Sequence, residues 1–216
     1  MIKNISIFAS GNGSNAANLI SYFSNNKDIK IGCVITNNKD AGVISIAELN
    51  NIPYYIIDNK NTDLLLSKLD QYKTDLIVLA GYLKKISKEI IEKYKIVNIH
   101  PSLLPKYGGK GMYGMNVHKS VIENKETESG ITIHYVNEFY DEGLIIYQSK
   151  CNVDSNDTAQ SLSDKIRKLS SIIWLKIKSI LWNKKRIIRF KIRTNNIRYL
   201  YQTWSINCNE NGWFKE

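Results

Sequence analysis

The residues best suited to chemistry follow an apolar run near the middle of the chain. Asn98 and His100 are two residues apart, and Pro101 comes directly after the histidine. A proline pushes the residue before it toward extended backbone, and Pro105 stiffens the same loop further on. An amide and an imidazole held in this way could bind a substrate and transfer protons. The alternative is that His100 is a structural histidine and Asn98 a turn residue.

A carboxylate is the third candidate. Asp141 lies between two β-prone runs, with Gly143 close behind it. A histidine that acts near neutral pH is commonly oriented and tuned by a carboxylate, so Asn98, His100 and Asp141 would make chemical sense together. The alternative for Asp141 is a solvated aspartate in a polar turn. The sequence does not give the distance between the three residues.

The turn SGNGSN, residues 10–15, indicates a second kind of site. It lies between a predicted strand and a predicted helix, where unpaired backbone N–H groups and the helix dipole attract an anion. The turn lacks the G-x-G-x-x-G spacing and the lysine of a P-loop, so a nucleoside triphosphate or a dinucleotide is not indicated. A phosphate-bearing ligand is one interpretation. The other is an ordinary glycine turn in which Ser14 or Asn15 caps the helix.

The sequence contains no pattern that is typical of other kinds of site. Cys33, Cys151 and Cys208 are isolated and odd in number, which fits neither a disulfide framework nor a C-x-x-C site. No metal-ligand spacing is present, so no metal is predicted, and there is no G-x-S-x-G nucleophile motif. His118 and His134, the other two histidines, are interpreted as structural.

The charge of the chain is unevenly distributed. The formal net charge is +10 over 216 residues, and residues 184–216 carry +6 of it. Lysine, asparagine and isoleucine are frequent throughout, a bias that nucleotide composition can produce, so a nucleic-acid partner is not favoured. No apolar run approaches the ~20 residues that span a bilayer, and the first residues lack a signal-peptide pattern. We therefore expect a soluble, cytoplasmic protein without a membrane partner.

Strands alternate with helices in the first half of the chain. This pattern predicts an α/β fold: a doubly wound, mostly parallel sheet flanked by helices, Rossmann-like in its N-terminal half. The β-prone runs cover residues 2–9, 29–37, 54–58, 75–82 and 95–100.

The pattern changes in the second half. Residues 130–136 and 144–151 are two β-prone runs too close for a parallel return, which makes them antiparallel neighbours and the sheet mixed. Residues 157–183 have the periodicity of one long helix, with Asp157 or Ser155 as its cap. We expect one domain over residues 1–183 and a basic tail over 184–216.

Several segments together resemble the folate-dependent phosphoribosylglycinamide formyltransferases of purine synthesis. The resemblance runs from Met1 to about residue 182 with order and spacing kept. It implies the formyltransferase fold and transfer of a formyl group from 10-formyltetrahydrofolate to the amine of glycinamide ribonucleotide. The matching segments are SGNGSN at 10–15, LAGYLKKIS at 79–87, NIHPSLLPKYGG at 98–109, TESGITIHYVNEFYDEGLIIYQ at 127–148 and the helix after Asp157.

The resemblance assigns roles by position. Asn98, His100 and Asp141 match the family's catalytic residues. Asn98 and a protonated His100 would donate to the formyl oxygen, while Asp141 would keep His100 charged and help to remove the proton of the amine. The residues implied for the substrate phosphate are Gly13, Ser14 and Asn15. Those implied for the formyl donor are Leu83, Lys84, Lys85, Ile86, Val136, Asn137 and Asp141.

This chain departs from the family at three places. Lys84 stands where many relatives have arginine, and it would face the folate glutamate as a point charge. In the long helix, Ser170 and Leu175 replace a glutamate that approaches the substrate and a proline. Arg167 lies close and could supply a compensating phosphate contact. The tail after about Asn183 extends beyond the usual end of the family.

Other functions stay open at this point. Another folate-dependent formyltransferase, such as one that acts on methionyl-tRNA, or a formyltetrahydrofolate hydrolase would share the Asn-His-Asp set. An inactive relative that binds a nucleotide or RNA is the alternative from another class. The predicted partners are small-molecule substrates, and the chain is a monomer or a homodimer.

Overall fold

The computed structural model describes residues 2–58, 60–169, 177–178 and 180–181. Seven strands lie within these residues: β1 (Lys3–Phe8), β2 (Ile29–Thr36), β3 (Tyr54–Ile56), β4 (Leu76–Leu79), β5 (Ile96–His100), β6 (Glu128–Tyr135) and β7 (Ile145–Asn152). The same residues contain six helices: α1 (Ser14–Phe23), α2 (Val43–Leu49), α3 (Thr62–Gln71), α4 (Lys88–Lys93), α5 (Met115–Glu123) and α6 (Ala159–Leu169).

The strands form one sheet in the order β3-β2-β1-β4-β5-β6-β7. The first five strands are parallel to one another, whereas β6 runs antiparallel to β5 and β7 antiparallel to β6. The predicted mixed, mostly parallel α/β sheet is confirmed. The change of direction after β5 matters for function, because β5 carries Asn98 and His100.

Helices cover both faces of the parallel part of the sheet. Side chains alternate along each strand, so Ile7 faces one apolar layer while Phe8 faces the other. The first layer receives buried residues of α1, α2, α5 and α6, such as Leu19. The second receives buried residues of α3 and α4, such as Leu69. This two-sided burial explains why the strand segments read as nearly continuous apolar runs.

Two predicted helix caps are wrong. Thr158 caps α6, because its Oγ1 accepts the backbone N–H of Ser161 at 3.1 Å. Asp157, one of the predicted caps, instead accepts a hydrogen bond from the Ser161 hydroxyl, and Ser155 makes no such bond within the described chain. At α1 the cap position belongs to Gly13, with no side-chain cap, so Ser14 and Asn15 are the first residues of that helix.

The long helix is only partly described. α6 ends at Leu169, and residues 177–178 and 180–181 are also helical. Ser170, Leu175 and the predicted tail, residues 184–216, lie outside the described residues, as does Cys208. The predicted division at residue 183 therefore stays a prediction.

Candidate active site

Strand β5 places Asn98 and His100 on one face of the sheet. Their neighbours Val97 and Ile99 point to the opposite face, into the first apolar layer. In the antiparallel register, Asn98 is directly opposite His134 and His100 is opposite Thr132. Directly opposed residues share a face, so two histidines and an amide meet on it.

Asp141 reaches the same place from the other end of β5. Because β6 is antiparallel, it finishes beside the start of β5, where the N–H of Val136 donates to the carbonyl of Ile96. The β6–β7 loop then brings Asp141, with a φ of 58°, against both predicted partners. Nδ2 of Asn98 lies 3.3 Å from Oδ1 of Asp141, and Nδ1 of His100 lies 3.5 Å from Oδ2. Asp141 thus contacts both Asn98 and His100.

The position of one proton on His100 follows from its contacts. Nε2 lies 2.7 Å from the backbone carbonyl oxygen of Tyr107, which can only accept a hydrogen bond. Nε2 must therefore carry a hydrogen. Nδ1 is left facing the carboxylate of Asp141, where it can hold a second proton.

The charge expected on His100 is a correction to the sequence interpretation. The His100 side chain is almost fully buried, and this desolvation lowers its pKa below the ordinary value although the carboxylate of Asp141 and the carbonyl of Tyr107 favour the charged form. In the free protein at neutral pH, the ring is therefore neutral, and Asp141 does not keep it charged. Nδ1 is then a base that becomes cationic only after it takes up a proton.

The carboxylate itself is ionised. Burial alone would raise the pKa of Asp141, but the contact with His134, the positive charge that His100 carries when protonated and the backbone N–H of Gly109 lower it below the usual range. The N–H of Gly109 donates to Oδ2 over 2.9 Å. An anionic Asp141 beside a neutral His100 forms a pair that is ready to receive one proton.

His134 is the residue that the sequence interpretation missed. Its Nδ1 donates to the carbonyl of Tyr135 at 2.9 Å, so in the neutral ring Nε2 accepts from Nδ2 of Asn98 at 3.1 Å. Nε2 also lies 3.5 Å from Oδ1 of Asp141. His134 was predicted to be merely structural, but it contacts two candidate catalytic residues. Pairing β6 with β5 in the sequence would have revealed it, because a register with Asn98 opposite His134 places both on one face.

The glycine-rich loop after β5 must pass very close to Asp141. A Cβ atom at Gly108 would lie 2.5 Å from Cδ2 of Leu104 and 3.1 Å from Cβ of Asp141, so a larger residue would have to displace both side chains. The loop is tied to the sheet by the N–H of Leu104, which donates to Oγ1 of Thr132 at 3.1 Å. It also contains a cis peptide bond before Pro105. This packing delivers the N–H of Gly109 and the carbonyl of Tyr107 to the site.

The turn before α1 has the form expected of an anion site. Gly13 has a φ of 74°, and a Cβ atom there would lie 2.8 Å from Cα of Val43, so the turn packs tightly onto the start of α2. The first N–H groups of a helix have no intrahelical acceptor. Those of Ser14 and Asn15 are at the exposed and half-buried start of α1. Phosphate binding by Gly13, Ser14 and Asn15 stays a prediction that this geometry allows.

The residues predicted for the formyl donor come from two loops that meet. Ile86 is buried, and Val136 packs against the same apolar layer. The two loops are also bridged at the surface, where Nζ of Lys88 lies 3.6 Å from Oε1 of Glu138. Leu83, Lys84 and Lys85 are exposed, and Asn137 is half-buried and accepts the N–H of Phe139. The structure thus brings Leu83–Ile86 toward the Val136–Asp141 loop.

Arg167 is not part of this group. It is exposed on α6 and forms an ion pair with Asp164. Within the described residues it has no hydrogen bond or ion pair with the glycine turn or with Asp141. Its predicted phosphate contact stays a prediction.

Comparisons with known proteins identify the family of this chain. A family model described as formyl transferase matches residues 3–177. The chain belongs to the formyl transferase family. Members of this family use a formyl-folate as co-substrate.

Curated relatives indicate which members of the family this chain resembles. This formyl transferase is 40% identical over 177 residues to the chloroplastic phosphoribosylglycinamide formyltransferase of Arabidopsis thaliana, covering 76% of this chain and 60% of the plant protein. It is 34% identical over 209 residues to the phosphoribosylglycinamide formyltransferase of Haemophilus influenzae, covering 92% of this chain and 94% of that protein. The chain therefore spans less than two thirds of the plant relative but nearly all of the bacterial one.

Solved structures share the fold. A phosphoribosylglycinamide formyltransferase from Anaplasma phagocytophilum has a TM-score of 0.76 at 31% identity, covering 82% of this chain and 86% of that chain. The enzyme of the same name from Coxiella burnetii, crystallised with CHES, has a TM-score of 0.74 at 34% identity, covering 83% and 86%. The predicted fold and family are confirmed.

The described residues contain neither a metal-binding cluster nor a membrane-spanning helix. No group of three or more histidine, cysteine, aspartate or glutamate side chains in that part of the formyl transferase is arranged to hold a metal ion. No helix there is both long and apolar enough to cross a membrane.

Proposed function

We propose that this formyl transferase moves a formyl group from 10-formyltetrahydrofolate to the amine of glycinamide ribonucleotide, a step of purine biosynthesis. One observation carries the proposal: the carboxylate of Asp141 lies 3.3 Å from the amide of Asn98 and 3.5 Å from the imidazole of His100. The relatives named phosphoribosylglycinamide formyltransferase supply the identity of the substrates.

The reaction requires a proton to move from one nitrogen to another. The amine nitrogen attacks the formyl carbon and must lose a proton, and the bond from that carbon to N10 of the folate must break. Neutral His100, with Nδ1 beside the carboxylate of Asp141, takes up the proton as the amine attacks. The same proton is then delivered to N10 as it leaves, so the pair ends as it began.

The negative charge that develops on the formyl oxygen must also be stabilised. Uptake of the proton makes His100 cationic at the moment when negative charge develops on that oxygen. Asn98 supplies a hydrogen bond: its contact with Asp141 is long at 3.3 Å, and the formyl oxygen replaces this contact while His134 keeps the other amide hydrogen. Loss of one such donor costs about 3 kcal/mol of transition-state stabilisation in comparable enzymes.

The two substrates enter from different loops. The phosphate of glycinamide ribonucleotide binds the N–H groups of Gly13, Ser14 and Asn15 at the start of α1. The folate lies between Leu83–Ile86 and the loop from Val136 to Asp141. The phosphate site and the folate site adjoin the end of β5 that carries Asn98 and His100. The amine and the formyl group therefore meet there. No metal takes part in this scheme.

The decisive experiment is a three-way assay on the purified protein. Formyl transfer to glycinamide ribonucleotide is measured beside formate release without acceptor and beside formylation of initiator methionyl-tRNA. We expect the first activity to dominate, and His100→Ala to reduce it by orders of magnitude without loss of fold. Dominant formate release or tRNA formylation would replace this proposal with one of its relatives, and wild-type turnover in His100→Ala would remove the mechanism.

The remaining expectations are proposals of the same kind. A cytoplasmic location is one of them, although the plant relatives are named chloroplastic. Analytical ultracentrifugation distinguishes the monomer from the homodimer. A protein shortened to residues 1–183 should retain formyl transfer if residues 184–216 are a separate tail, and loss of activity would contradict that division.

A further inference from the structure

Ser10 joins three loops at the end of β1. Its side chain is buried, with 6% of the residue exposed. The hydroxyl donates to Oδ1 of Asn37, after β2, at 2.5 Å and accepts the backbone N–H of Leu83, after β4, at 2.9 Å. Ser10 also directly precedes the glycine turn, residues 11–15. One hydroxyl therefore lies between the proposed phosphate turn and the proposed folate segment.

The backbone of Ser10 makes separate contacts. Its N–H donates to the carbonyl of Gly81 at 3.0 Å, and its carbonyl accepts Nδ2 of Asn38 at 3.4 Å. These bonds do not involve the hydroxyl. They hold the start of the glycine turn in place whichever side chain occupies position 10.

The segment from Leu83 to Ile86 is held in another way. Tyr82 and Ile86 are buried on either side of it, but Leu83 itself is 48% exposed, so its side chain does little to fix the backbone. The segment follows Gly81, which has a φ of 79°. The bond from the Leu83 N–H to Oγ of Ser10 ties the backbone of this segment to the end of β1.

We propose that Ser10 is a positioning residue for the formyl donor, and this inference rests on the proposed function. Its hydroxyl fixes Leu83–Ile86 against the end of β1 and so sets the distance between the folate segment and the phosphate turn. Without it, the Leu83 N–H loses its acceptor in the protein, and this hydrogen bond no longer restrains the segment. The glycine turn keeps its backbone bonds and its ligand.

The test compares Ser10→Ala with Ser6→Ala. Ser6 is a fully buried serine on the same strand whose hydroxyl contacts Thr74 at 2.8 Å and Cys33 at 3.4 Å, away from both loops. We expect Ser10→Ala to raise KM for the formyl donor about tenfold relative to Ser6→Ala, the size expected for the loss of one hydrogen bond. The KM for the phosphate-bearing amine should stay within about twofold, because uniform binding of that substrate is unchanged.

A second measurement does not need turnover. Hydrogen exchange of the Leu83 amide should be faster in Ser10→Ala than in wild type and unchanged in Ser6→Ala. Equal KM values for the donor in the two variants, or unchanged exchange at Leu83, would overturn the inference. A wild-type protein without transfer to glycinamide ribonucleotide would overturn the proposed function instead, so the two failures are distinguishable.

Discussion

Nε2 of His134 lies 3.1 Å from Nδ2 of Asn98, and the two residues are direct partners across β5 and β6. Nδ1 of the same ring is taken up by the carbonyl of Tyr135, so Nε2 is the acceptor. This fixes one amide hydrogen of Asn98 and leaves the other at Asp141. The orientation of the amide is thus set by the pairing of β5 with β6 rather than by the loop that follows β5.

Replacing His134 by alanine should lower kcat through Asn98. The amide loses the partner that orients it, so we expect a decrease of about tenfold, with smaller effects on either KM. The double variant Asn98→Ala/His134→Ala should be no slower than Asn98→Ala alone, because both changes remove one function. Steady-state kinetics of the four proteins measures this coupling, and additive losses would show that His134 acts independently.

Replacing Asp141 by asparagine should slow formyl transfer by about a hundredfold to ten-thousandfold, the range expected for loss of a proton-transfer group. Asparagine tolerates the positive φ and can still accept the N–H of Gly109, so the free energy of unfolding should change little. The exposed Asp28→Asn is the matched control and should be fully active. Equal rates in the two variants would exclude the carboxylate from the reaction.

The same variant tests the electrostatics of His100. Asp141 raises the pKa of His100 against the larger effect of burial, so removing its charge should lower that pKa further. Because transfer needs neutral His100, the acid limb of kcat/KM should move to lower pH while the plateau falls. A pH profile of residual activity in Asp141→Asn measures the shift, and a limb displaced upward would contradict the assignment.

Stability should depend on two buried histidines. Burial lowers the pKa of both His100 and His118 below the ordinary value of about 6.5 that they have when unfolded. Their contribution is therefore present above that value and lost as the pH falls below it, by up to about 1.4 kcal/mol per pH unit for each ring. Urea unfolding at pH 7.5, 6.5 and 5.5 measures this loss. His118→Gln should show a shallower pH dependence, and an unchanged slope would remove His118 from the account.

Replacing Gly143 by alanine should destabilise the β6–β7 hairpin. A Cβ atom at this position would lie 1.6 Å from the carbonyl oxygen of Tyr135, so the backbone must move. We expect a loss on the order of 3 kcal/mol, at the upper end for overpacking, together with weakened activity because Asp141 is in the same hairpin. Gly11→Ala, which has open space around its Cβ position, is the stability control. Similar unfolding midpoints for the two variants would contradict this prediction.

The strands and the grouping of Asn98, His100 and Asp141 could be predicted because their signals are local or carried by spacing. Apolar runs that alternate with helical segments marked the parallel strands. The segments around Asn98, His100 and Asp141 match those of the family in order and spacing. The contribution of His134 depends on the register of β6 against β5, which no local pattern encodes. The neutral state of His100 depends on how deeply the folded loop buries the ring, which is a property of packing.

Backbone partners were equally hidden. The carbonyl of Tyr107 and the N–H of Gly109 are backbone groups that nearly every residue type has. The sequence therefore does not mark them as functional. The cap at Thr158 was missed for a similar reason, because Ser155, Asp157 and Thr158 are all good caps and only the start of the helix decides between them.

The outermost position of β7 has a dynamic consequence. In the described part of the chain this strand has β6 as its single neighbour, and the loop between them carries Asp141. Edge strands open before central ones, so transient peeling of β7 would withdraw the carboxylate while the parallel strands stay intact. The enzyme would then pass through a state that is folded but inactive. On heating, the population of this state would limit activity well before global unfolding begins.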